Sequence, residues 1–159
     1  MREEDHVATS IPEVLLVEAD AEDRQLYGAW LEGAGFEVMA CPGPRAPEYT
    51  CIGGREGRCP LAMAADVVVL DVQLDSDLLA QGTSAGEVLS LYTSSGVPVV
   101  AIGPQTDVAG LFSETDVTWL PWPPNRQEFV TSVRRALAMP SSRPPRAARG
   151  PETRLGAGL

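Results

Sequence analysis

The chain has 159 residues, a length that suffices for one domain with a buried core and is too short for two. Its formal net charge is −10. It has no apolar stretch of 18 residues, the length that a membrane span needs, and residues 1–10 lack the apolar region of a secretory signal. We therefore expect a cytoplasmic protein.

The charge is divided unevenly along the chain. Residues 1–139 carry 8 Arg against 21 acidic residues, a net of −13, and the last twenty carry 4 Arg against 1 Glu, a net of +3. The acidic part would repel nucleic acid, so nucleic acid is disfavoured as a partner except through the tail.

The first third of the chain predicts a strand, a helix and a second strand after a flexible lead-in over residues 1–12. Residues 14–17 are uniformly apolar, as in a strand buried on both faces. Asp20 is a candidate helix N-cap, and Gly33 and Gly35 are candidate stop signals. Strand two is predicted over residues 36–41. The helix between them has an apolar stripe of Leu26, Tyr27, Trp30, Leu31 and Ala34.

An atypical loop follows the second strand. Residues 42–60 contain four prolines and four glycines, which disfavours a regular helix. We expect this Pro/Gly-rich loop to replace much of the second helix of an alternating fold.

The remaining elements alternate again. Strands are predicted over residues 67–70, 97–102 and 117–120. A capping box at residues 84–87 opens a helix that Gly96 ends, and residues 107–112 predict a short helix. Asn125 and Glu128 cap the last helix, which Pro140 ends, with Phe129, Val133, Ala136 and Leu137 facing inward.

These elements predict an α/β fold with a five-stranded parallel sheet, doubly wound by helices on both faces. The single domain spans residues 13–139, and the Pro- and Arg-rich tail over residues 140–159 is expected to be disordered. Ligands of such sheets bind at the carboxyl ends of the strands, where the strand order reverses. Glu18, Asp71 and Gly103 fall at those ends, so we treat them as a candidate site.

Between residues 12 and 139 the chain resembles a response regulator receiver domain of the CheY-like, flavodoxin-like class. The resemblance implies that Asp71 is the phosphoacceptor and that Glu18, Asp71 and the Gln73 carbonyl form a weak Mg²⁺ site. It places Trp119 at the aromatic switch position of the fifth strand. Trp122 and Pro123 then correspond to the family's Lys-Pro pair, which usually has a cis peptide bond.

The chain departs from that family at three chemical groups. Ala19 replaces the second metal carboxylate, Gly103 replaces the switch hydroxyl, and Trp122 replaces the lysine. All basic residues are arginine, so no lysine can take that role. Without these groups an acyl phosphate on Asp71 would form slowly, because magnesium and a cation normally offset the phosphoryl charge.

The residues leave several functions open. The favoured hypothesis is a stand-alone divergent receiver, not an enzyme, that acts as a protein-interaction module with phosphorylation of Asp71 lost or weakened. The alternatives are a competent single-domain response regulator in a phosphorelay and a pseudo-receiver that binds a small ligand beside Trp122. Two enzyme hypotheses are disfavoured. Gln73 breaks the Asp-x-Asp motif of haloacid-type phosphatases, and the acidic residues 18–23 would repel the phosphate of a flavin.

Residues 119–124 form an aromatic and proline-rich edge. Trp122 could plug the site, pack in the core or contact a partner, and Trp is common at interface hot spots. The expected partner is a histidine kinase or an effector, with a homodimer as a further option.

The three cysteines, Cys41, Cys51 and Cys59, lack the spacing of a zinc or thioredoxin motif. Reduced structural thiols are favoured in a cytoplasmic protein, and a redox-sensitive pair and a metal site remain as alternatives.

Overall fold

The computed structural model describes residues 11–43, 59–71, 91–103 and 117–139. They form a five-stranded parallel sheet in the order β2-β1-β3-β4-β5. The strands are β1 (Glu13–Val17), β2 (Glu37–Cys41), β3 (Val67–Asp71), β4 (Val99–Ile102) and β5 (Val117–Leu120). The predicted fold class is confirmed. Residues 1–10, most of the Pro/Gly-rich loop, the capping box, the predicted short helix and the tail lie outside the described residues.

Three helices have described bounds: α1 (Ala21–Gly33), α2 (Pro60–Ala64) and α3 (Arg126–Leu137). Residues 91–93 are also helical. The sequence did not predict α2, a single turn that Pro60 opens at the first helical position, where its fixed φ suits a helix and its missing N–H costs nothing. No described helix is long and apolar enough to cross a membrane.

The predicted N-cap Asp20 and the stop at Gly35 are confirmed for α1, whereas Gly33 is its last helical residue; the buried face of the helix is narrower than predicted. The Asp20 side chain accepts a hydrogen bond from the Asp23 N–H at 2.9 Å. Gly35 follows the helix with φ 98°, a conformation that favours glycine. Tyr27 and Leu31 are buried, whereas Leu26 is 46% exposed, because one step of 100° around the helix takes it off their face.

The last helix, α3, is capped by Asn125, whose side chain accepts a hydrogen bond from the Glu128 N–H at 2.8 Å. The predicted inward residues Phe129, Val133 and Ala136 are fully buried. Leu137, at the end of the helix, is only half-buried.

Two apolar clusters cover the two faces of the sheet. Along β3, Val67 and Val69 belong to the cluster under α1 and α3, and Val68 and Leu70 belong to the cluster that contains Ala62 of α2 and Tyr92. All five residues of β3 are buried. Since both faces are closed, the carboxyl ends of the strands form the edge at which polar side chains meet.

The α1 and α3 contact centres on Phe129, whose ring lies 5.0 Å from the Tyr27 ring and 5.5 Å from the Trp30 ring. We expect Phe129→Ala to lower the free energy of unfolding by about 3–5 kcal/mol, because it leaves a cavity between the two helices. Urea denaturation would measure this, with Gln127→Ala in the exposed first turn as the control. Equal losses in the two variants would contradict the central role of this ring.

Candidate functional site at the carboxyl edge of the sheet

Glu18 and Asp71, the acidic pair, meet at the centre of the carboxyl edge. Glu18 follows β1 and Asp71 ends β3, and these neighbouring strands pair with Val17 opposite Leu70. The two residues are 0% and 4% exposed. The strand order reverses between β1 and β3, so the pair lies at the switch point that the sequence predicted.

The backbone holds Glu18 firmly in place. Its N–H donates to the Cys41 carbonyl at 3.0 Å, and its Oε2 accepts from the Asp20 N–H at 3.1 Å. The other carboxyl oxygen, Oε1, is buried and has no hydrogen-bond partner. If Glu18 and Asp71 were both ionised, neither could donate a hydrogen bond to the other. Glu18 Oε1 therefore requires an added proton or a cation as its partner.

The Glu18 carboxyl favours its protonated form more strongly than an ordinary glutamate does. Burial raises the pKa of its carboxyl to about 9, and hydrogen bonding and charge from Asp71 raise it in the same direction. The hydrogen bond from the Asp20 backbone lowers it by a smaller amount. The acidic pair therefore carries less negative charge than its composition suggests.

The negative potential extends from the pair onto the start of α1. Burial raises the pKa of Tyr27 above its ordinary value, and charges on Asp23, Asp71, Glu18 and Asp20 raise it further. These four carboxyl groups act on one buried phenol, which places them around a common region.

Arg24 is a part of the site that the sequence reading missed. Its Nη1 donates to the backbone carbonyl of Glu18 at 2.8 Å and lies 3.4 Å from that of Ala19. The guanidinium thus braces the turn between β1 and α1. The only available signal was its position six residues after Glu18, which does not specify a carbonyl contact.

The fit of the described residues to Mg²⁺ is poor. Glu18 and Asp71 offer oxygen ligands of the kind that Mg²⁺ takes, and a cation there would satisfy Glu18 Oε1. Against this, Asp20 is committed to capping α1, and no group of three His, Cys, Asp or Glu in the described ranges could hold a metal. Gln73, the predicted third ligand, lies outside the described residues.

Gly103 directly follows β4 and has a backbone conformation that residues with a side chain rarely adopt. Its φ is 148°, and its N–H donates to the Leu120 carbonyl at 3.0 Å. A hydroxyl residue here would be strained, so the group that the resemblance expected is excluded by the backbone as well as by the sequence.

The two tryptophans of β5 and its extension differ in environment. Trp119 is half-buried and packs against the core cluster of Leu15 and Val68. Trp122 is 50% exposed and joined to Pro123 by a cis peptide bond, as the resemblance implied for this pair. Because its indole is half exposed, Trp122 does not fill a core position.

Cys41 and Cys59 are buried in the same core cluster, and neither is in a disulfide. The Cys41 sulfur accepts a hydrogen bond from the Gly43 N–H at 3.3 Å. Cys51 lies outside the described residues, so a redox role for the three cysteines stays a prediction.

The pKa of Glu18 predicts a stability that falls as pH rises. The unfolded chain loses the Glu18 proton near the ordinary value of 4.5, whereas the folded chain keeps it up to about 9. Protonated Glu18 therefore stabilises the fold fully below 4.5, and this contribution is lost as pH rises toward 9. Glu18→Gln should flatten the dependence and raise the free energy of unfolding at pH 8 by about 1–3 kcal/mol, because the amide is neutral in both states and folding then requires no proton uptake.

Urea denaturation at pH 5 and pH 8 would measure this, with the exposed Glu32→Gln as the control for the same chemical change. A Glu18→Gln variant with the pH dependence of the wild type would show that Glu18 is not the group responsible.

Comparisons with known proteins identify the fold. No protein-family model matches the chain, and no curated protein sequence matches it. A response regulator receiver domain protein from Bacillus halodurans superposes with a TM-score of 0.59 at 19% identity, covering 80% of this chain and 97% of that one. The signal receiver domain of a modulated diguanylate cyclase from Desulfovibrio desulfuricans superposes with a TM-score of 0.57 at 17% identity, covering 80% of this chain and 94% of that one.

A response regulator receiver protein from Sinorhizobium medicae gives a TM-score of 0.55 at 19% identity, covering 82% of this chain and 97% of that one. At identities this low the similarity is one of backbone architecture. The chain therefore has the CheY-like fold of response regulator receiver domains.

Proposed function

We propose that the chain is a divergent receiver that acts in cytoplasmic signal transduction as a protein-interaction module rather than an enzyme, with phosphorylation of Asp71 lost or weakened. The observation that carries this proposal is the acidic pair. Glu18 faces Asp71 in a buried position, where burial raises the pKa of its carboxyl, and Ala19 supplies no second carboxylate for a metal.

The proton competes directly with magnesium. Phosphoryl transfer to an aspartate relies on Mg²⁺ and nearby cations to offset charge on the phosphoryl oxygens. A metal at Glu18, Asp71 and Gln73 would have to displace the Glu18 proton, so we propose that Mg²⁺ binding there is weak.

The two other replaced groups also support weakened phosphorylation of Asp71. Gly103 offers no hydroxyl to a phosphoryl oxygen, and Trp122 turns an apolar ring outward where the family has a lysine ammonium. Arg24, whose guanidinium already contacts two backbone carbonyls, is not a substitute within the present geometry.

The exposed surface supports a role in binding. Pro121, Trp122 and Pro123, the Trp–Pro surface, are all exposed at the end of β5. Partly exposed Trp gives large apolar contact area at low entropic cost. We propose that a histidine kinase or an effector binds here, with a second copy of the chain as the alternative partner.

One observation favours the competent response regulator as the second candidate. Asp71 ends β3 beside the acidic side chain of Glu18, the position that the resemblance assigns to the phosphoacceptor. The two candidates differ in whether that carboxylate responds to a phosphoryl mimic.

Beryllofluoride with magnesium, followed by Trp fluorescence, separates the candidates. We expect no saturable change at millimolar magnesium, because the site lacks the hydroxyl, the lysine and one carboxylate. Asp71→Ala is the control for nonspecific effects. A saturable, magnesium-dependent change that Asp71→Ala abolishes would establish the competent regulator instead.

The binding role predicts a specific effect of Trp122→Ala. Proteins captured from a lysate by the full chain should be lost with Trp122→Ala and retained with Leu26→Ala. Leu26 is a matched control, because it is 46% exposed, close to the 50% of Trp122, and lies on α1. Capture that both variants retain equally would contradict the assignment of the surface.

A further inference from the structure

The Trp–Pro surface shares the carboxyl edge of the sheet with exposed acidic residues. It follows β5 at the carboxyl edge, the edge at which Asp20 and Glu22 begin α1 and Glu128 lies in the first turn of α3. These three carboxylates are exposed. The nearest described cation in sequence, Arg126, extends toward Gly33, since its Nη2 would lie 3.4 Å from a Gly33 Cβ.

An exposed indole between prolines, with carboxylates nearby, matches the chemistry that recognises extended Pro- and Arg-containing segments. Proline rings of a polyproline II segment pack on an indole at little entropic cost, because that conformation is largely preformed. Guanidinium groups pair with carboxylates in two-point hydrogen bonds. The segment suited to this surface therefore alternates Pro and Arg.

The chain carries such a segment itself. Residues 143–149 read Arg-Pro-Pro-Arg-Ala-Ala-Arg, within a tail of net charge +3 that follows a part of net charge −13. No lysine is present, so every side-chain cation in the tail can make the two-point contact.

The distance to be crossed suits the length of the tail. The described chain ends at Met139, after α3, whose twelve residues span about 18 Å at 1.5 Å per residue. The seven residues from Met139 to Arg146 cover about 22 Å in a polyproline II conformation. A tail that runs back along α3 could thus bring Arg146, the middle of residues 143–149, level with the start of the helix.

We propose that residues 143–149 dock on the Trp–Pro surface of their own domain and cover it until a partner displaces them. This inference rests on the proposed function, because it makes the tail a competitor for the partner surface. A short tether gives an effective concentration in the millimolar range, so a contact of modest intrinsic affinity is enough to keep the surface covered.

The test compares the full chain with the triple variant Arg143→Gln, Arg146→Gln and Arg149→Gln, using acrylamide quenching of Trp fluorescence. Acrylamide is neutral, so the charge change does not alter its access. We expect the quenching constant to rise about twofold in the triple variant, because an indole released from contact becomes accessible. Salt should produce a similar rise in the wild type only, because it screens the ion pairs.

Two controls identify the residues involved. Arg154→Gln removes a tail charge outside residues 143–149 and should leave quenching unchanged. The triple substitution in a Trp122→Phe background should also leave it unchanged, since Trp30 and Trp119 are not at the docking surface. A peptide of residues 140–152 added to the triple variant should restore protection saturably.

Equal quenching constants for the wild type and the triple variant would overturn the proposal. So would a difference that appears only at high protein concentration together with a dimer in sedimentation, because the tail would then cover a second copy. A negative quenching result would not change the outcome of the Trp122→Ala capture experiment. Failure of the proposed function would instead appear in the beryllofluoride experiment, which does not depend on the tail substitutions.

Discussion

Closure of both faces of the sheet is the constraint from which the chemistry of this protein follows. Every residue of β3 is buried, including Asp71 at its end. The Asp71 carboxyl group therefore has little contact with water. Glu18 reaches the same level from β1 and is fully buried. Ionisation of both carboxyl groups is disfavoured in so little solvent, so burial and the nearby Asp71 raise the pKa of Glu18.

The carboxyl edge consequently divides into two zones of opposite character. Around β1 and β3 it is closed, acidic and partly neutralised by a proton. Beyond β5 it is open and apolar, with an indole between two exposed prolines.

Most of the sheet could be predicted because its strands are short, uniformly apolar runs, and residues 117–120 are recovered without error. Asn125 and Asp20 identified the helix starts through local capping chemistry. Helix α2 escaped prediction because five residues carry no periodicity, and the exposure of Leu26 depends on how α1 is rotated against its neighbours. The protonation of Glu18 could not be read from residue types, since it comes from tertiary burial beside Asp71.

The backbone at Gly103 restricts which residues can occupy the end of β4. With φ at 148° and its N–H bonded to Leu120, this position tolerates little other than glycine. A single codon change that restored a serine or threonine would bring back the hydroxyl but distort the link between β4 and β5. A hydroxyl side chain at this position would therefore require a rearrangement of the backbone before it could be accommodated.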